Sequence, residues 1–255
     1  MTSAVSEAFH RTVDEGVERL ERSTPSLFAT GMVGGIDVSV GVLAMLVVRH
    51  ATGSEMWGAV AFTLGFVALT LANSELFTEN FLVPISAIAA RKASWTSLLR
   101  LWVGTLVFNL VGGWVVMGLA MGAFPDLRGT ALVVGRHGAD LGITAGALAS
   151  AVLAGLAITL MTWMEHSTDA IGARLVAVVG VAFLLAAAPL LHVIVASLEM
   201  FAALFVGAPF GYADWFGVLL LAAAGNILGG VGLVTVLRLV QVGGREIESE
   251  QRSAG

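Results

Sequence analysis

Ala72-Asn73-Ser74-Glu75-Leu76-Phe77-Thr78-Glu79-Asn80-Phe81-Leu82-Val83-Pro84 sets two carboxylates, two amides, two hydroxyls and a proline inside an otherwise apolar run from Trp57 to Ala90. Unpaired polar groups in hydrocarbon are costly. A membrane-spanning helix therefore tolerates such a cluster only where it breaks or lines a cavity. The stretch reads as one half of a pore.

The rest of the chain supplies the membrane. Of 255 residues, 57% are hydrophobic and only 12% charged, with a mean hydropathy of +0.91. A soluble domain carries about 25% charged residues, so this composition predicts an all-α polytopic membrane protein. The chain has no cysteine, which excludes disulfides and thiolate metal sites. Residues 1–25 mix acids and bases throughout and offer no apolar h-region, so they do not read as a signal peptide. Gly31-Met32-Val33-Gly34-Gly35 lacks the strand–turn–helix context of a phosphate loop and reads as a small-residue packing face. No nucleotide-binding loop or metal-ligand spacing is present, so neither cofactor, metal nor nucleic-acid partner is expected.

Residues 1–25 form a predicted amphipathic helix on the cytoplasmic side. Val5, Phe9, Val13, Val17 and Leu20 make its apolar stripe, opposite the i,i+4 pairs Glu7–Arg11, Glu15–Arg19 and Glu18–Arg22. A channel domain over 26–241 follows, with six spans at about 26–48, 57–90, 98–123, 142–164, 174–207 and 214–241. The second and fifth are too long for one straight crossing, and each is interrupted by polar residues or proline, as broken helices are. Residues 242–255 read as a disordered cytoplasmic tail. Six spans leave ten of the thirteen basic residues on the side of the termini, which places both ends in the cytoplasm of a cell-membrane protein.

Val107-Phe108-Asn109-Leu110-Val111-Gly112-Gly113 resembles Ala224-Gly225-Asn226-Ile227-Leu228-Gly229-Gly230 at an offset of 117 residues. Three spans per repeat is an odd number, so the halves have opposite topology. The interruptions then meet near the midplane, as in an inverted repeat. The same offset carries Glu75 onto His192, the one histidine centred in a span. An intramembrane ionisable residue is a functional candidate by default. A neutral His192 could hold or donate a proton; the plainer reading is an imidazole bonded to a carbonyl freed by the break. Glu75, Glu79 and Asn80 read as caps at the break, and Asn109 and Asn226 as scaffold amides bonding backbone there. Phe62 and Phe66 share a face at i,i+4 and could form a constriction or simply pack. His10, His50, His137 and His166 fall in termini or loops and read as solvated.

These residues resemble the formate/nitrite transporter family. The likeness runs from about residue 24 to 241, on Phe62-Thr63-Leu64-Gly65, Glu75-Leu76-Phe77-Thr78, Asn80, Trp95, Leu101-Trp102 and Asn109-Leu110-Val111-Gly112, with Gly225-Asn226-Ile227-Leu228-Gly229-Gly230 in the second half. It implies an aquaporin-like protomer with its own pore, assembled as a homopentamer in the bilayer and passing small monovalent anions. It further implies that Leu76, Phe77 and Thr78 form a constriction, that Phe62 and Phe66 line the pore beside it, and that His192 lies beside Thr78. Two departures stand out. The family's acid before the histidine and amide after it are Leu191 and Ala196 here, and its vestibule lysine is Ala173, with the charge moved to Arg174. The chain is therefore similar to a divergent, YfdC-like branch.

The leading expectation is a channel for weak-acid anions such as formate or nitrite, with protonation at a central histidine. A pore for small neutral solutes, or a non-conducting scaffold or sensor, is the alternative. No Ser or Cys nucleophile and no metal pair accompanies His192, so an enzyme is not expected.

Overall fold

The computed structural model describes residues 3–253. Among them it is all-helical, without a strand. The elements are α1 (Ser3–Glu21), α2 (Thr24–Thr52), α3 (Glu55–Ala72), α4 (Val83–Ala89), α5 (Trp95–Ala123), α6 (Arg128–Leu141), α7 (Ala145–His166), α8 (Ile171–Ala187), α9 (Val193–Phe205), α10 (Tyr212–Ile227), α11 (Val236–Val242) and α12 (Gly244–Ser253). A π-helical turn over Leu228–Thr235 joins α10 to α11. Among the described residues, five helices are long and apolar enough to cross a membrane: α2, α3, α5, α7 and the run Tyr212–Val242. The shorter α8 and α9 are apolar too.

The polar stretch of the second predicted span is where α3 stops. Asn73 adopts the left-handed conformation (φ 52°), and the Ser74 and Asn73 amides donate back to the carbonyls of Leu69 and Thr70. This is a Schellman-type ending with Asn in the place Gly usually takes. A short 3-10 turn over Phe77–Phe81 follows, and Pro84 sits in the first turn of α4, where a missing N–H does no harm. On the other side, α8 ends before Pro189, with the Leu190 amide returning to the Leu185 carbonyl, and α9 begins with His192 as its N-cap.

Two glycines allow the helices around these endings to touch backbone to backbone. A Cβ on Gly35 of α2 would lie 2.1 Å from the Asn109 carbonyl oxygen, and one on Gly155 of α7 would lie 2.1 Å from that of Asn226. The main core gathers around them from α2, α3, α5, α7, α9 and α10.

Three expectations are corrected. The loop after α5 contains a helix, α6, packed along α9; its five small residues Gly129, Ala131, Gly135, Gly138 and Ala139, with Arg136, His137 and Asp140, leave too short an apolar run to read as a packed helix. The tail is not disordered where it is described: α12 packs on α1, with Ser6 and His10 bonded to Glu246, and His10 and Lys92 bonded to Glu250. Residues 1, 2, 254 and 255 of the two terminal segments lie outside the described residues. Third, the expected Glu18–Arg22 pair of α1 is replaced and His166 is not solvated. Arg19 is buried, Arg22 reaches Glu75 rather than Glu18, and His166, read as solvated, is buried against Glu15 at 2.9 Å. Gly16 lies in this contact, where a Cβ would meet the Val83 carbonyl at 2.4 Å.

Burial opposes the charge on Glu15, but Arg19 and His166 outweigh it and hold the carboxyl well below its ordinary value. A depressed folded-state pKa lends stability that is present at neutral pH and lost in acid. Docking of α1 should therefore hold down to about pH 4.5 and weaken progressively below it. Cross-linking of α1 to α7 across that range checks this, and Glu15→Gln should remove the acid-dependent step. Separately, Gly35→Ala and Gly155→Ala should each lower the detergent-solubilised unfolding temperature through overpacking that costs ~1–3 kcal/mol. Gly122→Ala, with nothing within 4 Å of the new Cβ, should leave it unchanged.

Candidate functional site

The two helix endings meet side by side. Asn109 of α5 accepts the Phe77 amide on Oδ1 (2.8 Å) and donates from Nδ2 to the carbonyls of Glu75 (2.9 Å) and Gly31 (2.6 Å). Asn226 of α10 makes the corresponding set, accepting the Val193 amide (2.9 Å) and donating to Leu191 (3.0 Å) and Ala151 (2.8 Å). Each amide thus clamps the residues on either side of one extended position. That position is Leu76 on the first side and His192 on the second. The residue matched to His192 is therefore Leu76 and not Glu75: the 117-residue offset holds for the asparagines but is one residue shorter at the breaks.

Thr78 Oγ1 and His192 Nε2 lie 2.8 Å apart, both fully buried. The Val195 amide donates to His192 Nδ1 at 3.3 Å. A ring nitrogen that accepts carries no hydrogen, so in the neutral ring the proton is on Nε2 and is donated to Thr78. The Thr78 hydroxyl makes no other hydrogen bond among the described residues, which leaves its own hydrogen for another acceptor. Phe66 stands edge-on to His192 with ring centres 6.4 Å apart, and the Phe62 ring lies tilted against Phe66 at 5.6 Å. Leu76 is buried in the same core. Phe77 is not brought to the histidine; its ring joins Phe81 and Trp102 at 5.0 and 6.1 Å. Around His192 the neighbours Leu191, Val193, Val195 and Ala196 are all apolar and buried.

On the α1 side of this centre lies a cavity of about 610 Å³. Arg174 lines it, with its Nε donating to the Thr168 carbonyl. Glu75 lies at its floor and Asn80 just behind. Glu75 Oε1 accepts from Arg22 (2.6 Å) and lies 3.3 Å from Arg19, while Asn80 accepts from Arg19 (3.0 Å) and donates to the Leu76 carbonyl. Glu79 accepts the Leu76 amide at 2.9 Å, capping the turn that carries Thr78. The sequence reading missed Arg19, Glu165 and His166 as cavity residues. The i,i+4 pairing of Glu15 with Arg19 accounts for both charges locally and so gives no hint of a further partner; Gly16, between them, was the available sign of a close contact.

The geometry has known counterparts. The formate/nitrite transporter family profile matches residues 6–240. The inner membrane protein YfdC of Escherichia coli (strain K12) is 25% identical over 97% of this chain and 81% of its own length. A solved FNT family ion channel superposes with a TM-score of 0.78 at 17% identity, covering 90% of this chain and 96% of that one. A pentameric formate channel with formate bound gives a TM-score of 0.70 at 18% identity over 84% and 95%. These likenesses and the apolar helices make this a multi-pass membrane protein of the FNT-channel fold, and the chain belongs to the formate/nitrite transporter family.

Proposed function

We propose that the protein is a channel for small monovalent weak-acid species of the formate and nitrite kind, with a separate pore in each protomer. In this reading α3 with α4, and α8 with α9, are two discontinuous spans. With α2, α5, α7 and α10–α11 they make six crossings in two inverted repeats, over residues 26–241. Five protomers assemble in the bilayer, a state supported by the likeness to a pentameric formate channel. Both flanking segments, 1–25 and 242–255, lie in the cytoplasm. The positive-inside balance supports that side, and the contact of α1 with α12 supports a shared one.

The observation that carries the proposal is the Thr78–His192 contact at the meeting of the two endings. A bare anion in a dry constriction faces a Born penalty of tens of kcal/mol in the idealised limit, whereas a neutral weak acid does not. Arg174 and the cavity charges handle the anion in water. Phe62, Phe66 and Leu76 form the dry neck, and Thr78 is the donor at its middle. His192, a neutral imidazole with both nitrogens committed, holds the Thr78 hydroxyl from behind so that the hydroxyl's own hydrogen faces the cargo. The cargo takes its proton from water, crosses as the acid and releases the proton on the other side. Leu191, Val193 and Ala196, apolar where polar partners would help an anion, favour a second reading in which the cargo is a neutral solute throughout.

In proteoliposomes under a formate gradient, flux should be weaker than through a formate channel, because the centre is apolar. Thr78→Val should reduce it at least about tenfold, the effect of losing ~1.4 kcal/mol of barrier stabilisation, while Thr78→Ser keeps most of it. His192→Phe should behave as Thr78→Val does. Equal flux in Thr78→Val and the unaltered protein would remove the hydroxyl from the mechanism. Parity with a formate channel, lost in His192→Phe, would overturn the weakened-anion reading.

A further inference from the structure

Helices α7 and α10 meet backbone to backbone along much of their contact. A Cβ on Gly225 would lie 2.4 Å from that of Ala151, and one on Gly229 would lie 1.9 Å from the Val152 carbonyl oxygen. Small residues at such spacing let membrane helices approach this closely. One turn further on the two part. The π-helical turn Leu228–Thr235 widens the second helix there, and a Cβ on Gly232 would meet nothing within 4 Å. Between them opens a groove of about 260 Å³. Leu156 and Leu160 of α7 form one wall, and Leu233 and Leu237, both exposed, form the other. The i,i+4 spacing makes each wall a continuous ridge.

The groove ends on Arg238 and Gln241. Arg238 stands over the Trp163 ring at 4.8 Å and donates from Nη1 to Gln241 Oε1 at 2.7 Å. Among the described residues no carboxylate pairs with it, and its Nε and Nη2 make no hydrogen bond. An arginine on the wall of a membrane protein is stabilised by an anion or by reaching the interface. Trp163 shares a cluster with Phe9 and Val13 of α1. This end of the groove is therefore at the level of the amphipathic helix, where the headgroup layer belongs.

Shape decides between occupants. Leu233 to Gln241 is roughly 12 Å of helix, so 260 Å³ corresponds to a cross-section of roughly 20 Å². A helix of a second copy, ~10 Å across, needs about four times that area. An extended hydrocarbon chain fits.

We propose that this groove binds an anionic diacyl phospholipid of the leaflet on the α1 side, with one acyl chain between the leucine ridges and the headgroup phosphate on Arg238. The planar guanidinium fork matches phosphate oxygens two at a time. Gln241 and the Trp163 ring already hold it in place, so little freedom is lost when the lipid arrives. Basic pockets between spanning helices are where anionic headgroups are held, whereas a zwitterionic headgroup brings its own ammonium to the same arginine. The site lies outside the pore and stands whether or not the weak-acid reading holds.

Native mass spectrometry of the detergent-solubilised protein tests this, with dioleoyl phosphatidylglycerol and dioleoyl phosphatidylcholine offered in equal amounts. Phosphatidylglycerol should be retained in about fivefold excess. Arg238→Gln should bring the two lipids within about twofold of each other, and Arg238→Lys should give an intermediate ratio. Arg245→Gln, which alters an exposed arginine beyond the groove, should leave the ratio unchanged. On the unaltered protein, dihexanoyl phosphatidylglycerol should be retained at least about fivefold less than the dioleoyl lipid, because it leaves the leucine ridges uncovered. Inorganic phosphate should not displace the long-chain lipid. Equal retention of the two dioleoyl lipids, a ratio unmoved by Arg238→Gln, an equal fall in Arg245→Gln or displacement by inorganic phosphate each overturns the proposal. Separation of copies in Arg238→Gln with the lipid ratio unchanged would mark the groove as a contact between copies and overturns it as well.

Discussion

Backbone polar groups are costly to bury unpaired, and two interruptions between apolar helices, over residues 73–82 and 188–192, leave such groups at the centre of the protein. Each interruption frees amides and carbonyls whose exposure would cost several kcal/mol. One asparagine per interruption answers for two of them and also reaches a neighbouring helix: Asn109 serves Glu75 and Phe77 and bonds Gly31 of α2, and Asn226 serves Leu191 and Val193 and bonds Ala151 of α7. The amide is suited to this because it accepts and donates from one rigid plane. Aspartate would lose both donors and leucine all three bonds. The glycines at 35 and 155 follow from the same constraint, since an asparagine reaches a neighbouring helix's backbone only if that helix stands very close.

The clamp also decides which groups meet. Holding Glu75 and Phe77 in register puts Thr78 at the start of its turn, and holding Leu191 and Val193 points His192 at it. The histidine is then committed on both nitrogens, to the Val195 amide and to Thr78. A second proton on the ring would set two donors against each other at Nδ1. The pair is therefore built around a neutral imidazole, and the mobile hydrogen is the one on Thr78. With apolar side chains at 191, 193 and 196, nothing else at this level compensates a negative charge.

Much of this was legible in the sequence because it rests on local signals. Polar residues inside an apolar run, Pro84 and Pro189, and two Asn-containing repeats mark the helix endings without reference to tertiary structure. The one-residue slip between Glu75 and Leu76 was not legible, because an offset measured on α5 and α10 does not report an insertion in the loops. Helix α6 was missed because glycines dilute its apolar pattern. The roles of Arg19 and His166 were missed for a different reason. An i,i+4 ion pair looks alike whether it faces water or a second carboxylate, and only the fold brings Glu75 beneath Arg19.

The same electrostatics ties α1 to the centre. Glu75 is almost wholly buried, and its Oε2 has no partner, so its charge is balanced through Oε1 alone by Arg22 and Arg19. Both arginines come from the end of α1 or just beyond it. Removing α1 would strand that carboxylate, and breaking one side of a buried ion pair costs ~3–5 kcal/mol. Glu75 is three residues before Thr78, and its carbonyl is one of those held by Asn109. Water entering to solvate a stranded Glu75 would therefore arrive beside the turn that presents the Thr78 hydroxyl. Docked α1 keeps Arg19 and Arg22 against Glu75 and so holds the residues just before that turn. The helix that reads as a peripheral amphipathic segment is, through two guanidinium groups at its end, part of what sets the polarity of the cavity beside the Thr78–His192 pair.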